Sequence, residues 1–125
     1  MDNKTLHCII VDDQRFAIEN LQEAIAKFPQ IKIRATFLDP LAAMEYLLTQ
    51  EDIDILFSDI DMPRLSGIQL AEKVRKYVRH LVFVTSHLKF ELEPDNVGDW
   101  HYLHKPIRSR HLERIIDDIQ SANKS

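Results

Sequence analysis

The chain of 125 residues is short of several things, and each shortage narrows what it can be. It has one cysteine, Cys8, so no internal disulfide can form. The place of Cys8 inside an apolar run reads as a buried, inert thiol in a reducing cytoplasm. It has two glycines and no glycine-rich loop, which excludes a P-loop or a dinucleotide fingerprint. No apolar stretch approaches the roughly 20 residues that a membrane span needs. The start, Met1-Asp2-Asn3-Lys4-Thr5, lacks the basic-then-apolar plan of a signal peptide. Cations are outnumbered: 16 Lys and Arg against 20 Asp and Glu give a net charge of −4, which argues against direct nucleic-acid binding. Repeats and low-complexity tracts are missing too. The chain therefore reads as a single domain over 1–125, with 121–125 a loose tail or the start of a linker.

What is present is an alternation of extended and helical patterns. Residues 6–11 are apolar and β-prone. Residues 14–28 place Ile18, Leu21, Ile25 and Phe28 three or four apart, as in an amphipathic helix that Pro29 ends. Ile31, Ile33, Ala35 and Phe37 alternate within a strand over 31–38. A helix over 41–50 follows, with Asp39 as N-cap and Pro40 at its first position. After the strand 54–58, Ser66 caps a helix through Val78, with Ile68, Ala71, Val74 and Val78 inward. Strand 81–84 comes next, then a stretch over 88–98 where Pro94 interrupts a helical pattern. Strand 101–104 and a helix from Ser109 to Ser121, with Leu112, Ile115, Ile116 and Ile119 on its core side, complete the set. Five β-α units in succession predict a doubly wound α/β fold with a parallel sheet and helices on both faces.

Four of the apolar runs stop at residues that carry chemistry. The first ends at Asp12-Asp13, the third at Asp59, the fourth at Thr85-Ser86 and the fifth at Lys105-Pro106. Open parallel sheets bind ligands beyond the strand carboxyl ends, where the strand order reverses. In the flavodoxin-like order 2-1-3-4-5 that point lies between the first and third strands, the two that end in acids. Two carboxylates about 4 Å apart repel by roughly 4 kcal/mol at an effective dielectric near 20, so three together call for protons or a cation. Mg²⁺, a hard ion with oxygen ligands, suits such a set. An aspartate can also act as a nucleophile and form an acyl phosphate. Lys105 and Thr85 can then offer an ammonium and a hydroxyl to phosphoryl oxygens.

These residues carry a family resemblance. Val11-Asp12-Asp13, the segment Asp59-Ile60-Asp61-Met62-Pro63-Arg64-Leu65-Ser66-Gly67, Val84-Thr85-Ser86 and Tyr102-Leu103-His104-Lys105-Pro106 resemble the receiver domain of two-component response regulators. The resemblance covers nearly the whole chain, and the wording around Asp59 and Tyr102 is similar to receivers of LytTR-type regulators. It implies that Asp59 is the phosphoacceptor. It implies that Asp13 and Asp59 ligate Mg²⁺ directly, Asp12 mostly through water, and that the backbone carbonyl of Asp61 completes the protein ligands. Thr85 and Tyr102 become the switch pair, Lys105 bridges to the phosphoryl group, and the Lys105–Pro106 bond is expected cis. Asp61 and His87 are the side chains that tune hydrolysis of the acyl phosphate. The implied donor is a histidine kinase or a phosphotransfer protein. The implied output is a LytTR-type DNA-binding domain outside this chain. The face made by the fourth predicted helix, the fifth strand and the last helix is where the output changes and where two copies would pair. Such a chain is no enzyme beyond catalysing its own phosphorylation and dephosphorylation.

Other expectations are local. Asp59-Ile60-Asp61 also resembles the Asp-x-Asp of haloacid-dehalogenase-type phosphatases, although there the motif follows the first strand. Gly67 is expected to take a positive φ in the loop beyond Asp59. Pro94 predicts a short or displaced fourth helix. Trp100 is open to two readings, a core filler or an exposed anchor on the output face.

Overall fold

The computed structural model describes residues 5–86 and 100–123. Five strands, β1 (Leu6–Val11), β2 (Ile31–Phe37), β3 (Ile53–Ser58), β4 (Val78–Thr85) and β5 (His101–His104), form one parallel sheet in the order β2-β1-β3-β4-β5. The described helices are α1 (Arg15–Ile25), α2 (Pro40–Leu47), α3 (Gly67–Val74) and α4 (Ser109–Asn123). This is the flavodoxin-like doubly wound arrangement that the alternation predicts. The predicted helix at 88–98, with Pro94, and the tuning candidate His87 lie outside the described residues.

β3 runs through the centre of the sheet and is buried along its whole length, which accounts for its near-continuous Ile, Leu and Phe content. Alternate side chains serve the two faces. Ile9, Val11, Leu56 and Phe83 meet Leu47 of α2 and Leu70, Ala71 and Val74 of α3. On the other side Ile10, Phe57, Val82 and Val84 meet Ile18, Leu21 and Ile25 of α1 and Leu112, Ile116 and Ile119 of α4. Cys8 lies in this second layer, where burial, and after it the Asp54 charge, push its thiol up to about 12. That is the inert thiol expected from the sequence.

Asp54 is a charged residue inside β3. Its carboxylate accepts the His7 backbone N–H at 2.8 Å and lies 3.6 Å from Nε of Arg79. One acid thereby ties the amino ends of β1, β3 and β4, and its burial is met by a donor and a cation.

Asp39 caps α2 as expected, accepting the Leu41 N–H at 3.0 Å, with Pro40 as the first helical residue. Ser66 and Gln69 form a full capping box at the start of α3. The helix ends depart from the pattern reading. α1 stops at Ile25 and α2 at Leu47, each three residues short of the predicted end. α3 stops at Val74, and Val78 instead opens β4 opposite Ile53. The reversal is tight: the Tyr77 N–H donates to the Val74 carbonyl at 2.7 Å. Leu70, rather than Val78, supplies the buried side chain there, and Ile68 is only half-buried. α4 runs to Asn123, two residues beyond the predicted end.

Trp100 is a core residue. It is buried, meets Phe83 edge-on with ring centroids 5.1 Å apart, and has the Arg75 guanidinium carbon 5.7 Å from its ring centroid.

Candidate functional site

The strand register brings the acids together. Val11 lies opposite Ser58, so Asp12 and Asp59 leave the sheet side by side. The Asp59 N–H donates to the Val11 carbonyl at 3.0 Å, which locks the two strand ends. One carboxylate oxygen each from Asp12, Asp13 and Asp59 lies within 4.8 Å of the others. Asp12 is buried, Asp59 half-buried and Asp13 exposed, so the cluster runs from the end of the sheet out to solvent.

Lys105 enters from the end of β5. Its Nζ is 3.2 Å from Oδ2 of Asp12 and 3.8 Å from Oδ1 of Asp59. Its backbone N–H donates to the Thr85 carbonyl at 2.8 Å, and the Lys105–Pro106 peptide is cis, as the resemblance implies. Thr85 is the buried last residue of β4 on the same rim. Tyr102 lies one strand further, its ring tilted against Phe83 at 5.6 Å. Its hydroxyl is buried and has no hydrogen-bond partner among the described residues, and burial pushes its pKa up. Asp61 is exposed in the loop two residues past Asp59. Asp12, Asp13, Asp59, Thr85 and Lys105 therefore share one end of the sheet.

The charges are not balanced. Burial, and after it the Asp12 carboxylate, push the Asp59 carboxyl above its ordinary value of 3.8. Lys105 and the Ile60 N–H, which donates to Oδ1 at 2.8 Å, oppose this only in part. A carboxyl whose pKa is raised in the folded state binds its proton more tightly there than in the unfolded chain. Stability is then lost as pH rises from the ordinary value through the folded one. Asp59→Asn is accordingly expected to stabilise the metal-free protein at pH 7. The gain should disappear below the ordinary carboxyl range. Urea melts of both proteins across pH check this, and an Asn variant less stable at pH 7 contradicts it.

The loop after Asp59 is shaped by two residues. Gly67 does not take the expected positive φ; that conformation belongs to Arg64, with φ of 71°. Gly67 is needed for close approach instead. An added Cβ would overlap the Asp59 carbonyl oxygen and lie 2.9 Å from its carbon. Arg64 is the centre of a γ-turn, in which the Leu65 N–H donates to the Pro63 carbonyl at 2.8 Å. A left-handed non-glycine residue costs roughly 1–3 kcal/mol and persists only where its surroundings hold it. Nη2 of Arg64 meets Oδ1 of Asp39 at 3.1 Å. The sequence pattern marks Asp39 as a cap but gives no sign of this second partner. It is also silent on a groove of about 860 Å³ beside Lys105, lined by Phe16 and Asn20 of α1, by Lys27 just beyond it, and by Pro106 and Ile107. Phe16 is 61% exposed there.

A five-stranded doubly wound sheet with three acids and a lysine at its switch point defines the class. The comparisons with known proteins agree with it. Residues 8–117 match the model of the response regulator receiver domain, and the chain belongs to that family. It is 32% identical over 114 residues to the sensory transduction protein LytT of Enterococcus faecalis, covering 90% of this chain and 47% of LytT. It is 28% identical over 120 residues to an uncharacterized response regulatory protein of Vibrio cholerae, covering 95% of this chain and 50% of that protein. The chain thus spans about half the length of the curated relatives it matches. The response regulatory domain of protein mrkE from Klebsiella pneumoniae superposes with a TM-score of 0.81 at 25% identity, covering 94% of this chain and 97% of that one. Among the described residues no helix is long and apolar enough to cross a membrane.

Proposed function

We propose that this receiver accepts a phosphoryl group on Asp59 from a histidine kinase or phosphotransfer protein in the cytoplasm, in a reaction that needs Mg²⁺. The observation that carries the reading is the convergence of three carboxylates within 4.8 Å, with an ammonium 3.8 Å from the half-buried one. The donor set fits the ion: all oxygen, excess negative charge, and an Asp59 carboxyl pushed up by burial and by its neighbour. Asp12, Asp13 and Asp59, with the Asp61 carbonyl, would hold Mg²⁺, which when bound neutralises charge on the phosphoryl oxygens.

The residues then have distinct tasks. An Asp59 carboxylate oxygen attacks phosphorus of the donor phosphohistidine; the O–P bond forms as the N–P bond breaks, and the imidazole nitrogen keeps the electron pair. Lys105 holds an ammonium against the incoming oxygens. Thr85 supplies a hydroxyl to the loaded group, and Tyr102 responds to its movement, shifting an existing inactive–active equilibrium. Asp61 and His87 set the lifetime of the acyl phosphate. The groove beside Phe16 and Lys105 offers the donor an apolar approach to the crevice. The face of β5 and α4 carries the change to an output and is where two copies would pair; the segments around Asp59 and Tyr102, similar to receivers of LytTR-type regulators, support a DNA-binding domain of that type as the output. The chain turns over nothing but its own aspartyl phosphate.

Acetyl phosphate with Mg²⁺ tests the reading. Intact mass should rise by one phosphoryl group in the native chain, not in Asp59→Asn and not in chelator. A generic phosphate ester should not be hydrolysed. Labelling that persists in Asp59→Asn, or steady ester turnover of the haloacid-dehalogenase kind, would overturn it.

A further inference from the structure

We propose that Arg64 is a positioning residue for the loop that follows Asp59, holding that loop in metal-binding shape through its ion pair with Asp39. The inference rests on the phosphoacceptor reading above for its purpose, but its geometry stands alone.

The loop from Asp59 to Gly67 has two firm ends. At one, Asp59 is bonded to β1; at the other, the Gly67 N–H donates to the Ile60 carbonyl at 2.8 Å, with no room for a Cβ beside the Asp59 carbonyl. Ile60, Met62 and Leu65 are buried in the layer shared with α2 and α3. Between these anchors the chain must reverse, and it does so through Arg64 in a conformation that glycine or asparagine would adopt more readily. Arginine offers no local compensation for that φ, since it has no short side-chain acceptor. What it offers is reach. The guanidinium spans to Oδ1 of Asp39, the same oxygen that caps α2 through the Leu41 N–H. The loop carrying Asp61 is thereby fastened to the start of α2. Two surface residues, 63% and 38% exposed at the side chain, would make a weak bond by themselves. Here the bond acts on a strained turn, where a modest restraint decides which conformation the loop occupies.

The test uses Arg64→Met, Asp39→Asn and the double variant. Asparagine caps helices as well as aspartate, so α2 is kept while the charge is lost. In metal-free protein, amide hydrogen exchange at Leu65 and Gly67 is expected to speed up about tenfold in each single variant and no further in the double. Mg²⁺ affinity should fall about tenfold, the lower end of what outer partners of metal ligands contribute. Arg64→Lys should recover part of both losses. Unchanged exchange in Arg64→Met, additive effects in the double variant, or faster exchange with unchanged Mg²⁺ affinity would each overturn the proposal. If the native chain binds no Mg²⁺, the functional reading fails, and the exchange measurements still decide whether Arg64 holds the turn.

Discussion

Lys105→Ala is expected to slow phosphorylation of Asp59 by a factor on the order of 10²–10³ while tightening Mg²⁺ binding. The two effects have opposite signs for one physical reason. Nζ lies 3.2 Å from an Asp12 oxygen and 3.8 Å from an Asp59 oxygen, so in the resting crevice it already offsets part of the acidic charge. Removing it leaves three carboxylates with a stronger claim on a divalent cation, about tenfold in affinity at an effective dielectric near 20 with solvent screening. During transfer the same loss leaves the phosphoryl oxygens without their ammonium. The Asp59 carboxyl should also move further above its ordinary value, because Lys105 is the largest influence holding it down. Time courses of intact mass with acetyl phosphate give the rate, and calorimetric titration gives the Mg²⁺ affinity. A parallel loss of both would mean that Lys105 merely supports the fold.

Gly67→Ala is expected to lower folding stability by more than roughly 2 kcal/mol. Gly67 opens α3, where alanine would ordinarily gain up to about 1 kcal/mol of helix propensity. Space decides against it. The new Cβ would overlap the Asp59 carbonyl oxygen and stand 3.0 Å from Cα of Ile60. All of these are backbone atoms, and they cannot swing aside as a side chain can. They are fixed by the Asp59 bond to Val11 and by the Gly67 bond to Ile60. Relief would require α3 to retreat from the end of β3, which would open the packing of Leu70 and Ala71, both fully buried. Urea unfolding checks the size of the loss, and a midpoint equal to or above that of the native chain would refute the argument. Because the strain falls on the phosphoacceptor's own peptide, Mg²⁺ affinity should weaken along with stability.

The sheet order and the crevice were legible because period and punctuation agreed. Apolar runs ended on Asp12, Asp59, Thr85 and Lys105, and a parallel sheet leaves one place for such ends to meet. Helix ends were less legible. Val78 falls four residues after Val74, so it continues the helical spacing, yet it pairs with Ile53 as a strand residue. Periodicity cannot separate the two, and the turn through Tyr77 carries neither glycine nor proline to mark it. Gly67 is a position where only glycine serves, but the reason is contact with the Asp59 carbonyl and not the positive φ that the sequence suggests. Arg64 takes the left-handed conformation without a residue type that announces it, and its partner Asp39 is 25 positions away. Asp54 shows the same limit: a buried acid within β3 is satisfied by β1 and β4, information that no local window contains.

The aromatic row on the α2 and α3 side of the sheet has a practical corollary. Trp100, the single tryptophan of the chain, touches Phe83, and Phe83 touches Tyr102, the proposed switch residue. The only indole is therefore shielded from solvent and one ring removed from the side chain whose rearrangement would announce a loaded crevice. The protein carries its own fluorophore at the place where its signalling state would be read, with no label to attach.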